Sequence, residues 1–336
     1  MRAVVIREHG SPDVLSVEEV PIPDPGPGEV RIRVHAVSVN SYLDVANRAG
    51  DVPFVSYEFP HILGVEHSGV LDAVGDGVGG PFRVGDRVVS QAAYLNPDGT
   101  IGLVGVHRPG SAADYSVVPA GCLRALPDDV PFIDAAALAL NGPLAVRQLH
   151  KGAFEPGEWV LVQAAASAAG TMMIRTLQHL GARIIATSRT ASKRDQLHML
   201  GVEHVLDSSD ETLPDHIRDL TGGGVDLAID NIGAPTLWSM TMRSLRDGGR
   251  VVTSGAKFGG EVPLDVRDLY TRNLAVLGVR TYDKSSADRL WDLVGEGLRP
   301  VISEVFPIEQ VADAHRHIED QRNCGRVVLS VTGESL

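Results

Sequence analysis

Positive charge is scarce in this 336-residue chain: 30 Lys and Arg stand against 43 Asp and Glu, a formal net charge of −13. That balance argues against a nucleic-acid surface and against a basic membrane patch. Aromatic residues make up only 5% of the chain, so no platform for stacking bases is expected. No apolar run approaches the roughly 18 residues that cross a bilayer. The opening MRAVVIREHG mixes apolar residues with charges and has no signal-peptide core. The only two cysteines, Cys122 and Cys324, lie far apart and read as free thiols in a reducing cytoplasm. The expectation is a cytoplasmic protein with no nucleic-acid and no membrane partner. A hydrophobic fraction of 43% is ample for a packed core, and the length suggests two domains.

Short alternating runs recur up to about residue 125: Ala3 to Ile6, Val30 to Val34, Val70 to Val74, Arg87 to Val89 and Tyr115 to Val118. Turn clusters such as PDPGPGE (23–29) and GDGVGGPF (75–82) separate them. Closely spaced strands with Gly/Pro punctuation predict a barrel-like antiparallel domain. From about residue 126 strands alternate with helical patterns. The strand candidates are Trp159 to Val162, Ile184 to Thr187, His204 to Leu206, Leu227 to Ile229, Arg250 to Thr253 and Leu274 to Val279. This rhythm predicts an open, mostly parallel sheet with helices on both faces. Helices at Ala287 to Glu296 and Ile308 to Asp320, and a last strand at Arg326 to Val331, are expected in the tail.

Residues 160–189, VLVQAAASAAGTMMIRTLQHLGARIIATSR, carry the most specific signal. A buried strand, a tight run of small residues, an amphipathic helix and a second strand form one βαβ unit, which lays a dinucleotide across a helix N-terminus. The usual turn is G-x-G-x-x-G. Here it runs from Ala164 through Ser167 and Ala168 to Gly170, the single glycine retained. After the second strand an NAD-binding unit places an acid for the adenosine 2′-hydroxyl. This chain instead offers Ser188, Arg189, Thr190, Ser192, Lys193 and Arg194, hydroxyls and cations suited to a 2′-phosphate. NADPH is therefore the expected cofactor.

Further motifs extend the pattern over nearly the whole chain: HILGVEHSGVLDAVGDGV (61–78), FRVGDRVV (82–89), GSAADYSVVPAGCLRALPDDV (110–130), LNGPLAV (140–146), FEPGEWVLV (154–162), GVDLAIDNIGAPTL (224–237), LGVRTY (277–282) and CGRVVLSV (324–331). With them the chain resembles the medium-chain dehydrogenase/reductase superfamily, in its zinc-independent quinone oxidoreductase and enoyl reductase branches. The resemblance implies a GroES-like β-barrel domain, residues 1–125 with 282–336, a Rossmann NADPH-binding domain, residues 126–281, and a homodimer.

Zinc-using relatives carry a cysteine after the third strand and a Gly-His-Glu further on. Those places hold Asn40 and Gly64-Val65-Glu66 here, which is not a set of three good zinc ligands. His61 and His67 flank the altered motif and read as structural, so no metal is expected. Without a Lewis acid, reduction of an activated C=C bond is favoured over alcohol oxidation, and the developing enolate needs a hydrogen-bond donor. Tyr42 stands where relatives place a proton-relay hydroxyl, although NSYLD is one residue longer than the family's N-x-x-D. Asn40 is a second catalytic candidate, as an amide donor.

By the same resemblance Asn141 faces the nicotinamide or substrate, or else caps a helix. Asn231 and Gly233 approach the adenine side, and Ser254, Gly255 and Ala256 the nicotinamide ribose. Gly278 lies near the carboxamide, and Arg326 meets the pyrophosphate or 2′-phosphate. Tyr57, His107 and Lys257 are candidates for the substrate pocket. The sequence therefore reads as a reductase of a quinone or α,β-unsaturated carbonyl small molecule. An enoyl-thioester reductase and an NADPH-binding protein without turnover stay open beside it.

Overall fold

A computed structural model describes residues 1–52, 58–96, 98–257 and 259–333. Ten strands come first: β1 (Arg2–Ile6), β2 (Ser16–Glu19), β3 (Glu29–Val39), β4 (His61–Ile62), β5 (Glu66–Val74), β6 (Arg87–Ser90), β7 (Ala93–Leu95), β8 (Ile101–Leu103), β9 (Tyr115–Pro119) and β10 (Leu123–Ala125). Among them lie a π-helical turn, Ser41–Ala46, and a single helical turn, α1 (Asn47–Ala49). Then follow α2 (Phe132–Leu138), α3 (Asn141–Lys151), β11 (Trp159–Val162), α4 (Ala168–His179), β12 (Arg183–Thr187), α5 (Ala191–Met199), β13 (His204–Leu206), α6 (Leu213–Thr221), β14 (Val225–Ile229), α7 (Pro235–Ser244), β15 (Leu245–Thr253), α8 (Val266–Thr271), β16 (Ala275–Gly278) and α9 (Lys284–Gly295). The chain ends with β17 (Ile302–Pro307), α10 (Val311–Glu319) and β18 (Arg326–Ser330).

Two compact units result, Met1–Leu140 with Ile302–Leu336, and Asn141–Val301. The first is the β-rich unit. Its main sheet runs β10-β6-β5-β3-β18-β17 with β9 also on β3, beside a small sheet β2-β1-β4. Strand β3 is the hub because its inward residues Val30, Ile32, Val34, Val37 and Val39 are apolar and buried. The twofold side-chain period of a strand puts alternate residues on the core face. The second unit is a parallel sheet of order β13-β12-β11-β14-β15-β16, the doubly wound 3-2-1-4-5-6 arrangement, whose crevice at the strands' C-terminal ends binds ligands. Its central strands are continuous apolar runs because helices cover both faces.

The units divide at 140/141 and 301/302, where the sequence suggested 125/126 and 281/282. Helix α2 packs on β3, β5 and β18 with six of its seven residues buried. Phe132 stacks on His35 with ring centroids 4.3 Å apart and lies under the Arg87 guanidinium at 4.5 Å. Helix α9 packs on α3 of the second unit, so closely that a Cβ on Gly142 would lie 2.5 Å from Leu290. Strand β17 had no sequence forecast. It is a half-buried edge beside β18 and lacks clean alternation.

Candidate functional site

In the parallel unit the turn from β11 to α4 is built on small residues for a visible reason. Ala164 takes φ +49°, the left-handed region that favours glycine. A Cβ on Gly170 would lie 2.6 Å from the carbonyl oxygens of Ala164 and Ala165, so this glycine lets helix meet strand. Ser167 is the exposed N-cap of α4, and its Oγ accepts the Gly170 amide at 3.0 Å. The hydroxyl hydrogen remains available to an anion. The first amides of α4, from Ala168 onward, have no intrahelical acceptor, as at any helix start.

Beneath the turn runs a buried polar network that the sequence did not suggest. Thr187 Oγ1 donates to Gln163 Oε1 at 2.5 Å, and Gln163 Nε2 donates to Thr241 Oγ1 at 2.9 Å. Thr241 in turn lies 3.4 Å from Asp230. Asp230 Oδ1 accepts the amides of Ile232 and Gly233. Burial raises the Asp230 carboxyl above its ordinary pKa, against those two amides and Thr241. Four isolated polar residues, Gln163 and Asp230 just past apolar strands, Thr187 at a strand end and Thr241 in a helix, are the available signal, since buried polar groups need partners.

At the exit of β12, Ser188 is buried and Arg189 is exposed. Thr190 precedes α5 without a side-chain cap, and Lys193 is partly exposed on its first turn. Arg194 is not an open cation: it bonds the carbonyls of Ser188 and Arg189 and pairs with Asp207.

After β14, Asn231 Oδ1 accepts Gln148 Nε2, the Ser254 amide and the Ser254 hydroxyl at 2.8–3.0 Å. This ties the ends of β14 and β15 together. Gly233, at φ +68°, has no room for a Cβ against the Gly259 carbonyl, 2.7 Å away. Gly255, Ala256 and Lys257 are exposed in the following turn, and Gly278 closes β16 opposite Thr253. Asn141 opens α3, with Gly142 and Pro143 in its first turn.

The barrel unit brings Asn40, Asp44, Glu66 and Arg326 together. Asn40 caps the π-helical turn: its Oδ1 accepts the amides of Tyr42 and Leu43 at 3.0 Å, and its Nδ2 donates to Glu66 Oε1 at 3.0 Å. Asp44 is buried and accepts the amides of Asn40 and Gly64. Burial pushes its carboxyl up to about 7, aided by Glu66 and opposed by the two amides and Arg326. Tyr42 sits on the turn with 45% exposure.

Two readings change here. Asn40 is buried and committed as a cap, so it positions Tyr42 and does not present an amide outward. Arg326 is 2% exposed, donates to Ser38 Oγ at 2.8 Å and pairs with the fully buried Glu66, which also accepts the Leu140 amide. Its guanidinium is committed inside the barrel and does not present itself to a cofactor phosphate. A glutamate within the run at 62–71, where only His67 and otherwise apolar or small residues accompany it, signalled some partner; its identity, 260 residues away, did not follow from the sequence.

His61 Nε2 lies 2.9 Å from the Gly105 carbonyl, and His67 is fully buried in β5. Desolvation takes His67 down to about 3, so it is neutral and no acid-base group at neutral pH. His107 is exposed and accepts the Leu103 amide, closing the turn after β8. Tyr57 lies outside the described residues. Among the described residues no cluster of three or more His, Cys, Asp or Glu could hold a metal, and no helix is long and apolar enough to cross a membrane.

Residues 26–128 match the alcohol dehydrogenase GroES-like domain, and residues 168–296 match the family described as zinc-binding dehydrogenase. A 2-haloacrylate reductase of Burkholderia sp is 33% identical over 97% of this chain and 98% of its own length. A probable quinone oxidoreductase of Schizosaccharomyces pombe is 30% identical over 97% and 96%. Among solved structures, an NAD-dependent alcohol dehydrogenase superposes with TM-score 0.90 at 36% identity, covering 98% of this chain and all of that one. A mycobacterial protein complexed with NADPH superposes with TM-score 0.82 at 30% identity over 98% and 100%. The chain thus belongs to the medium-chain dehydrogenase/reductase superfamily, in its quinone oxidoreductase branch, and is an NAD(P)-dependent oxidoreductase.

Proposed function

We propose that this oxidoreductase is zinc-independent, uses NADPH, and reduces a quinone or the activated C=C bond of an α,β-unsaturated carbonyl compound. The observation that carries the cofactor choice is the exit of β12, where Arg189 is exposed, Lys193 and the hydroxyls of Ser188, Thr190 and Ser192 lie close in sequence, and α5 starts without a side-chain cap. A 2′-phosphate matches cations and open helix amides; a 2′-hydroxyl would call for an acid. The β11–α4 turn fits a pyrophosphate, with only methyl and hydroxymethyl groups beside the first amides of α4.

The donor set argues against catalytic zinc. Three ligands and an open position are needed, yet Asn40 is spent on capping, Val65 is fully buried in an apolar cluster and Glu66 is paired with Arg326. Purified protein is expected to hold zinc far below one per chain and to keep its activity in chelator. Stoichiometric zinc whose removal abolishes turnover would contradict this.

When bound, the nicotinamide supplies a hydride to the β-carbon of the acceptor. The chain's own part is to bind and polarise that acceptor. Tyr42 O–H donates a hydrogen bond to the carbonyl oxygen, where negative charge develops. Asn40 holds the Tyr42 amide and thereby the turn's conformation. Two copies pair along β16, the edge of the parallel sheet among the described residues, where Val276 is exposed; a monomer in sedimentation would refute this. For the cofactor, Arg189→Ala should raise the KM for NADPH with little change for NADH, measured with a small enone, a quinone and an enoyl-CoA. An unchanged NADPH/NADH ratio removes the assignment, and a strong preference for the enoyl-CoA moves the substrate to thioesters.

A further inference from the structure

In the sequence Arg194 is one more cation beside Lys193. In the fold it does something else. Its Nη1 donates to the Ser188 carbonyl at 2.9 Å and to the Arg189 carbonyl at 3.0 Å, and the same nitrogen lies 2.8 Å from Asp207 Oδ2. Asp207 stands immediately after β13. Its other oxygen accepts the Ser209 amide at 2.8 Å and the Ser209 hydroxyl at 2.5 Å. The Ser209 hydroxyl first, then its amide and Arg194, hold the Asp207 carboxyl below its ordinary pKa, so it is charged at neutral pH. On the other side, the Ser188 amide donates to the Leu206 carbonyl at 3.2 Å. Ser188 is thus tied to β13 through its amide and to α5 through its carbonyl.

This arrangement has two consequences for an anion at the exit of β12. The Ser188 and Arg189 carbonyls, whose oxygens repel phosphate, are taken up by a guanidinium. The carboxylate of Asp207, which stands on the same guanidinium, is neutralised. Without Arg194 the turn would lose its tie to α5, and a bare negative charge would remain beside the place proposed for the 2′-phosphate. A 2′-hydroxyl carries no charge and would not be repelled by that carboxylate.

We propose that Arg194 is a positioning residue that sets the choice between NADPH and NADH, by bracing the Ser188–Arg189 turn and masking Asp207 without touching the phosphate. The proposal rests on the NADPH reading above. It separates two adjacent cations by role: Lys193 belongs to the phosphate, Arg194 to the turn and the acid.

The test is steady-state kinetics of the full-length protein with NADPH and with NADH, together with thermal melts. Variants are Arg194→Gln, Arg194→Gln with Asp207→Asn, and Arg194→Lys. Loss of a charge-assisted brace should raise the KM for NADPH by about tenfold in Arg194→Gln, with that for NADH within about twofold. Removing the bared charge in the double variant should restore part of the NADPH affinity. If Arg194→Gln gives no cooperative melt, Arg194→Lys carries the test: it keeps a charge against Asp207, ends its shorter side chain short of where Nη1 holds the two carbonyls, and should still raise the KM for NADPH selectively. Equal KM rises for both cofactors would mean a merely structural residue and overturn the proposal. A wild-type preference for NADPH that survives intact in a folded Arg194 variant would overturn it alone. A wild type with no such preference would overturn the NADPH reading, and this inference with it.

Discussion

Asn40 and Asp44 close a ring around one turn of chain: Asp44 Oδ2 accepts the Asn40 amide at 2.8 Å, while the Asn40 carbonyl accepts the amides of Asp44 and Val45 at 3.0 and 3.1 Å. The bond from Val45 back to Asn40 spans five residues, the signature of a π-helical turn, which holds one residue more than an α-turn. This is how the longer NSYLD segment is accommodated. The asparagine and the aspartate are bonded to each other, and the additional residue lies in the turn that carries Tyr42.

Tyr42→Phe removes only the hydroxyl and leaves the Asn40 cap on the backbone amide in place. If Tyr42 is the donor to the developing oxyanion, kcat should fall on the order of a hundredfold while NADPH binding by fluorescence titration stays as in the wild type. Wild-type turnover would remove Tyr42 from the mechanism.

Asp44 has a folded-state pKa of about 7 against an ordinary value of 3.8, so the folded protein binds this proton more tightly than the unfolded chain. The stabilisation linked to that proton is complete below about pH 4 and is lost as pH rises through about 7. The wild-type melting temperature should therefore fall more steeply between pH 5 and pH 8 than that of Asp44→Asn, whose side chain does not titrate. Parallel curves would show that Asp44 is not the titrating group.

Arg326→Met leaves Glu66 buried without its cation. Such a loss costs about 3–5 kcal/mol, visible as a large drop in melting temperature, and Glu66→Gln in the same chain should recover part of it. NADPH affinity of the folded fraction should not change, because the guanidinium serves the barrel. A selective loss of NADPH affinity would return Arg326 to the cofactor.

Ala164→Gly relieves a left-handed alanine and should stabilise the parallel unit by about 0.5–1 kcal/mol after the entropy of the added glycine is counted. A lower melting temperature would mean that the Ala164 methyl makes packing contacts worth more than the strain.

Much of the fold was legible. Apolar runs mark the central strands β11, β12 and β14, because strands buried on both faces need continuous apolar residues; the half-exposed edge strand at His204 to Leu206 matches its forecast bounds. The alternation marks five residues of strand β3, which runs to eleven, since HAVSV past Val34 mixes polar and apolar residues that only the neighbouring strands justify. Of the candidate site, Asn40, Arg194 and Arg326 carry polar groups that the sequence alone shows as available, and in the fold each is taken up by a partner remote in sequence or by nearby backbone.

The sequence by itself determined the two-unit architecture, the βαβ turn of small residues and the lack of an acid after β12. Those are local properties of spacing, size and charge sign, and they survive without coordinates. Only the tertiary structure decided which charges face outward. Hydrogen-bond partners such as Glu66 and Arg326, or Arg194 and Asp207, are set by strand order and helix packing. A buried ion must find its counter-ion wherever the fold brings one, and no periodicity along the chain records that meeting.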